Sequence, residues 1–128
     1  MPHTRTHEGQ SLKSALADLV VRTMQDYTGR GATRARTLIE HDTIMVVLED
    51  ILTKGERVLV SKGKSEEVLR IRRTFQDAMR EDLCRSVEQL VGRKVEAFMS
   101  TNHTQPDYAV EIFILGEAIV GDAPPADL

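Results

Sequence analysis

The strongest constraint on the fold is one long helical pattern in the second half of the chain. From Ser65 to Gly92, apolar side chains recur every three or four residues, which predicts an amphipathic helix. The residues of this stripe are Val68, Ile71, Phe75, Met79, Leu83, Val87 and Leu90. Ser65 is predicted to be the N-cap, and Gly92 is predicted to end the helix. At about 1.5 Å per residue such a helix is roughly 40 Å long, so one end is expected to project or to pack against a partner.

Two further helices are predicted before this one. Residues 10–28 carry an apolar stripe with the same spacing, and Gly29 follows at the position where glycine commonly ends a helix. Thr53 is followed three residues later by Glu56, which is the spacing of a capping box. A short helix is therefore predicted over residues 54–61.

Four strands are predicted around these helices. The turn residues Glu40-His41-Asp42-Thr43 join a strand at 36–40 to the run Ile44–Leu48. This run is apolar on both faces, which indicates a strand in the middle of its sheet. Residues 94–101 and 108–115 supply the last two strands.

The resulting order, α-β-β-α-α-β-β, predicts a single α+β domain. Strands and helices do not alternate singly, so the expected architecture is a mostly antiparallel four-stranded sheet with its helices on one face. The domain is predicted over residues 10–116. Residues 1–9 and 117–128 are predicted to be flexible tails, the second of them acidic.

Too few helices are predicted to cover the second face of this sheet. Four apolar residues are predicted on or near that face: Met45, Val47, Phe98 and Phe113. An uncovered apolar face commonly marks an interface. We therefore predict either a homodimer or a surface that binds another protein.

Charge, cysteine content and hydropathy limit the class of protein. The net charge of −3 argues against nucleic-acid binding, because proteins dominated by that function are usually basic. The single cysteine excludes an intramolecular disulfide and fits a reducing compartment. The N-terminal residues lack the apolar region of a signal peptide, and no run approaches the 18 apolar residues of a transmembrane helix. A cytoplasmic protein is expected, with any membrane role peripheral.

The sequence contains no complete catalytic or metal-binding motif. Gly63-Lys64-Ser65 resembles the end of a phosphate-binding loop, but Val58 stands where the pattern requires glycine. Cys84 has no neighbouring base, and His3 and His7 have metal-compatible spacing without a third ligand nearby. No catalytic residue, metal site or cofactor is predicted, and the protein is not expected to be an enzyme.

The turn after the first helix is the best candidate for binding an anion or an acidic partner. It contains Gly29, Arg30, Gly31, Arg34 and Arg36, with three arginines in seven residues. Glycines allow close approach of the backbone, and guanidinium groups bind carboxylates and phosphates in a bidentate manner. The alternative is a flexible connection whose arginines are solvated.

Short motifs are spread over the whole predicted domain. They are Tyr27-Thr28-Gly29-Arg30-Gly31, Ala35-Arg36, the strand Thr43-Ile44-Met45-Val46-Val47-Leu48, Leu52-Thr53 with Glu56, Arg72-Arg73, Gly92 with Val95, and Ile112-Phe113. Together these motifs resemble the MpsC-like family over about residues 10–116. The sequence departs from the family at Ala32, where the glycine turn usually continues into proline.

The resemblance implies a small cytoplasmic accessory protein of a bacterial ion or inorganic-carbon transport system. The family is named after a sodium-translocating, membrane-potential-generating system, so a membrane transport protein is the implied partner. The resemblance implies neither a catalytic mechanism nor a cofactor. Two other functions stay open: sensing of a small anion or other ligand through the Gly29–Arg36 turn, and, with less support, nucleic-acid binding.

Overall fold

A computed structural model describes residues 10–119 and has the predicted order of helices and strands. The elements are α1 (Leu12–Thr28), β1 (Arg34–Glu40), β2 (Thr43–Glu49), α2 (Lys54–Ser61), α3 (Ser65–Val91), β3 (Val95–His103) and β4 (Tyr108–Leu115). The predicted α+β class, with three helices and four strands, is confirmed. β1 begins two residues earlier than predicted and β3 ends two residues later.

The four strands form one antiparallel sheet with the order β1-β2-β4-β3. β2 lies between β1 and β4, which confirms the prediction of a central strand. The two-residue turn between β1 and β2 contains His41 with a positive φ of 55°. The outer strand β3 has an irregular register between Val95 and Ala97, as in a β-bulge.

The hydrophobic core lies between one face of the sheet and the helices α1 and α3. Alternate residues of β2 and β4 point into this core, where the apolar stripes of the two helices meet them. Its buried residues include Leu16, Val20, Ile44, Val46, Leu48, Met79, Leu83, Val87 and Phe113. The short helix α2 packs against the first part of α3 through a smaller cluster made by Leu52, Val60 and Val68.

Local capping sets the ends of the two shorter helices. Gly29 has φ of 84° and donates its N–H to the carbonyl oxygen of Gln25, which closes the last turn of α1. At the start of α2, the Thr53 side chain accepts from the N–H of Glu56, and the Glu56 carboxylate accepts from the N–H of Thr53. The predicted capping box is therefore present.

The predicted N-cap of the long helix is wrong by one residue. Ser65 is already the first helical residue, and Lys64 precedes the helix without a side-chain cap. The reason lies in the connection from α2, where Gly63 with φ of 78° turns the chain so tightly that the N–H of Lys64 still bonds to the carbonyl oxygen of Leu59. The carbonyl oxygen of Lys64 then accepts from the N–H of Val68, which starts α3.

The folded region extends past the boundary predicted at residue 116. Ile119 is buried in the core, and its N–H donates to the carbonyl oxygen of His41. Residues 117–119 therefore belong to the domain, since their last member closes the core next to the β1–β2 turn. The remaining parts of the two predicted tails, 1–9 and 120–128, lie outside the described residues, as do His3 and His7.

Candidate functional site

The face of the sheet turned away from α1 and α3, called the outer face below, carries an apolar row across all four strands. The strand register places Leu38, Met45, Ile112 and Met99 side by side in that order. Leu38 is 45% exposed and Met99 is 48% exposed, although both are large and apolar. At a strand spacing of about 4.8 Å, the row is about 14 Å long.

Mixed rows flank this apolar row on the outer face. One consists of Arg36, Val47, Val110 and Thr101, and the other of Glu40, Thr43, Ile114 and Ala97. Beyond them, Arg34 lies opposite Glu49 near one end of the sheet. The apolar side chains therefore occupy the middle of the outer face, and the charged ones lie towards β1 and the strand ends. An apolar centre with a polar rim is the usual composition of a protein–protein interface.

The prediction that places Phe98 and Phe113 on or near the outer face is wrong. Both are buried in the core, with ring centroids 5.1 Å apart. On β4 the side chain of Ala109 points into the core, and Phe113 lies on the same face four residues later. The register after the bulge at Val95 and Ala97 then sets Phe98 directly opposite Phe113. Large rings at these positions fill the space under the helices.

Met45 and Val47 do lie on the outer face. Met45 is half-buried, and Val47 is almost fully buried. Their role in an interface stays a prediction.

Arg30 in the predicted anion site is held by an internal partner. Its Nε and Nη2 donate to the carbonyl oxygen of Asp50 at 3.2 and 2.9 Å, and Nη2 lies 2.8 Å from the Asp50 carboxylate. Asp50 has a positive φ of 62° at the end of β2. A hydrogen bond from Thr33, supported by the charges of Arg30 and Arg57, holds the pKa of Asp50 below its ordinary value. Arg30 therefore clamps a turn of the fold.

The two glycines of this turn also have structural reasons. Gly29 ends α1 in the left-handed conformation. A Cβ on Gly31 would lie 2.8 Å from Cγ1 of Val21, so only glycine lets the chain pass this close to α1. Helix termination and packing thus explain both glycines, which the sequence alone predicts to be part of an anion-binding turn.

The other two arginines of the predicted site lie on β1 and are exposed. Arg34 and Arg36 both project from the outer face, while Arg30 reaches towards the end of β2. The structure therefore does not bring the three guanidinium groups together. Arg36 also lines a groove of about 550 Å³ between α1 and β1, called the edge groove below, together with Lys13, Ala17, Val21, Arg22 and Thr37.

A buried polar cluster under the first half of α3 is not predicted from the sequence. Arg72 is 2% exposed, pairs with the Glu56 carboxylate, and donates to the carbonyl oxygen of Ile51 at 2.8 Å. The position of Arg72 in the sequence indicates its burial, because Arg72 stands four residues after the buried Val68 and four before the buried Gln76. A polar residue on the buried stripe of a helix requires an internal partner.

Glu111 is the second member of this cluster from the sheet side. It is 1% exposed and lies on the core face of β4, between Val46 of β2 and Ser100 of β3. Burial raises the pKa of Glu111 to about 7, although Ser100 and Arg72 act in the opposite direction. Glu111 Oε1 and Ser100 Oγ have no hydrogen-bond partner of normal geometry. The cluster therefore contains a carboxyl group that titrates near neutral pH.

Cys84 is half-buried on α3, and burial raises the pKa of its thiol. A raised pKa disfavours the thiolate, which is the nucleophilic form. Within residues 10–119, no helix is both long and apolar enough to cross a membrane. The same residues contain no group of three His, Cys, Asp or Glu side chains placed to hold a metal ion.

The comparisons with known proteins gave one match. The family model described as "Na+-translocating membrane potential-generating system (MpsC)" matches residues 8–117, which is nearly the whole described fold. Neither the search of curated proteins nor the search of solved structures gave a match.

Proposed function

Because the chain belongs to the MpsC family, we propose that it is a non-enzymatic accessory component of a membrane-potential-generating system for ion or inorganic-carbon transport. In this proposal the protein lies in the cytoplasm, peripheral to the membrane, and binds a membrane protein of that system through its outer face. It acts as a homodimer.

One observation carries this proposal: the apolar row of the outer face. Leu38, Met45, Ile112 and Met99 cross the sheet on a face that no described helix covers. The free energy falls when another chain removes exposed apolar side chains from water. The two methionines suit such a surface because their unbranched side chains adapt to the shape of a partner.

The size of the outer face indicates how strong such an interaction is. Four strands about 4.8 Å apart, with four outward side chains per strand about 6.8 Å apart, give a face of about 500 Å². Contact with an equal area of a partner removes about 1,000 Å² from water in total, which is typical of weak or transient complexes. A reversible accessory contact fits this area better than a permanent assembly.

The alternative functions have less support from the described residues. An anion sensor in the Gly29–Arg36 turn loses one of its three cations, because Arg30 is neutralised by Asp50. A nucleic-acid-binding module requires a basic surface, whereas the chain has a net charge of −3. The non-enzymatic assignment is also part of the proposal.

Capture of membrane proteins from native cells tests the proposed function. The full chain, tagged and expressed in its own cells, is purified from solubilised membranes, and co-purifying membrane proteins are quantified by mass spectrometry. Replacing Met45→Glu and Met99→Glu together introduces charge into the middle of the outer face. We expect this variant to lose at least about nine-tenths of the captured transport protein, since an unpaired charge in an interface is strongly unfavourable.

The matched control combines Val58→Glu and Ile71→Glu, which adds the same two charges at exposed apolar residues of α2 and α3. This control should capture as much transport protein as the wild-type chain. The proposal is wrong if the wild-type chain captures no membrane transport protein, or if the Met45 and Met99 variant captures as much as the control. Thermal melting of all three chains verifies that each one is folded.

A further inference from the structure

The two edges of the sheet differ in how they are protected against pairing with another strand. β3 is interrupted by the irregularity between Val95 and Ala97, and such bulges hinder addition of a further strand. β1, in contrast, pairs with β2 through seven consecutive residue pairs from Arg34 to Glu40. Its other side has no strand partner among residues 10–119. A regular edge presents N–H and C=O groups that can form hydrogen bonds with another strand.

The edge groove gives an added strand a place to pack. It lies along β1, with Ala17 and Val21 of α1 on its apolar side and Lys13 and Arg22 at its rim. In an antiparallel sheet the inward side chains of a neighbouring strand point to the same side as those of β1. A strand placed beside β1 therefore directs its inward side chains into this groove, where small and apolar ones fit.

We propose that the strand that occupies this position is β1 of a second copy, so that two chains form one eight-stranded antiparallel sheet with Thr37 on the twofold axis. The inward residues of β1 are Ala35, Thr37 and Ile39, which have the size and polarity that the edge groove accommodates. This pairing rests on the proposed function and identifies the surface through which two copies of the accessory protein form the homodimer.

Charge complementarity and the length of strand overlap together favour one register of this pair. Full overlap of the seven-residue strand with its symmetry copy sets Arg34 of each chain opposite Glu40 of the other, which gives two favourable cross-strand pairs. A shift of the axis to Arg36 sets like charges opposite each other. A shift to Leu38 also sets opposite charges, Arg36 and Glu40, opposite each other, but it brings the turn residues into the ladder and shortens the overlap. The Glu40 side chain is 81% exposed and contacts His41 at 3.4 Å, so it is accessible to a second chain.

Sedimentation measures the dimer directly. For the full chain, we expect the mass to approach twice the 14.3 kDa of one copy as the concentration rises to about 100 μM. Glu40→Arg turns two attractions into two repulsions across the axis and should raise the dimer dissociation constant at least about tenfold. Combining it with Arg34→Glu restores opposite charges and should restore dimerisation. Glu96→Arg on the other edge strand is the matched control and should dimerise like the wild-type chain.

Disulfide trapping provides a second measurement that keeps all charges. In a Cys84→Ser background, Thr37→Cys places two cysteines opposite each other at a Cα separation of about 5 Å, which suits a disulfide. Ala35→Cys places them about 14 Å apart and should not cross-link. The proposal is overturned if the wild-type chain keeps the mass of one copy, if Glu40→Arg dimerises normally, or if the two cysteine variants cross-link equally. Capture of a membrane protein is a separate readout. A chain that keeps the mass of one copy overturns this inference and the homodimer of the proposed function, whereas only the capture experiment tests the contact with a transport protein.

Discussion

The buried carboxyl group of Glu111 gives the most direct test of the core. We predict that Glu111→Gln removes a large part of the dependence of stability on pH. Glutamine has nearly the same shape and cannot ionise. Its amide can donate to Ser100 Oγ, which has no hydrogen-bond partner of normal geometry among the described residues. The variant therefore keeps the packing of β4 under α3 and removes the ionisable carboxyl group of Glu111.

The sign of the effect follows from the direction of the pKa change. In the unfolded chain Glu111 ionises near 4.5, whereas burial raises its pKa to about 7 in the folded chain. The folded state therefore holds a proton that the unfolded state releases, and stability from this group falls as pH rises from 4.5 towards 7. At 1.36 kcal/mol for each unit of difference, the loss is about 3 kcal/mol above pH 7 relative to below 4.5.

Urea denaturation at several pH values, from about 5 to about 8, measures this difference in free energy of unfolding. The gain in stability of Glu111→Gln over the wild-type chain should grow with pH across this range. Glu96→Gln, the same change at an exposed residue of β3, is the control and should differ from the wild type by a constant amount. Equal protein concentrations exclude a contribution from association. A gain for Glu111→Gln that does not change with pH refutes the argument.

Three further substitutions test individual contacts by urea denaturation. Thr53→Ala removes the capping box of α2 and should lower the free energy of unfolding by about 1 kcal/mol; no change would contradict the capping role. Gly31→Ala should destabilise the chain because its Cβ meets Val21 Cγ1 at 2.8 Å, and Val21→Ala in the same chain should recover part of the loss. Arg72→Met should cost roughly 3 kcal/mol because it leaves the buried Glu56 carboxylate without a cation. Adding Glu56→Gln should recover much of this loss, whereas purely additive losses would exclude the pairing.

Elements whose signals are local in sequence could be predicted closely. The start of α2 follows from Thr53 and Glu56, which cap the first turn of the helix. The end of α3 follows from Gly92, which adopts the left-handed conformation. In these cases the physical cause lies within four residues of its effect, so the sequence contains all the information that is needed.

The faces of the outer strands could not be predicted in the same way. Phe98 and Phe113 each stand between two apolar residues in the sequence, so alternation does not mark the core side. Only the packing of α1 and α3 decides which side of these strands becomes the core. The bulge in β3 also changes the alternation, and nothing in the local sequence marks it.

The roles of the arginines depend on partners that are distant in sequence. Arg30 contacts Asp50 twenty residues away, and Arg72 contacts Glu56 sixteen residues away. A cluster of arginines in the sequence therefore predicts a charged surface even where the fold uses one of the guanidinium groups, that of Arg30, as an internal brace. The candidate site consequently moves from the arginine-rich turn to the outer face.

The strand order β1-β2-β4-β3 has a consequence for how the chain folds. Each half of the sheet is a hairpin closed by a short connection, but the seam between β2 and β4 pairs Thr43 with Ile114. Forming this seam closes a long loop that contains α2 and α3, and the entropy of that closure must be overcome before the core contacts form. Stopped-flow refolding should therefore respond more to substitutions along the seam, such as Ile44→Val, than to substitutions in the turn at His41.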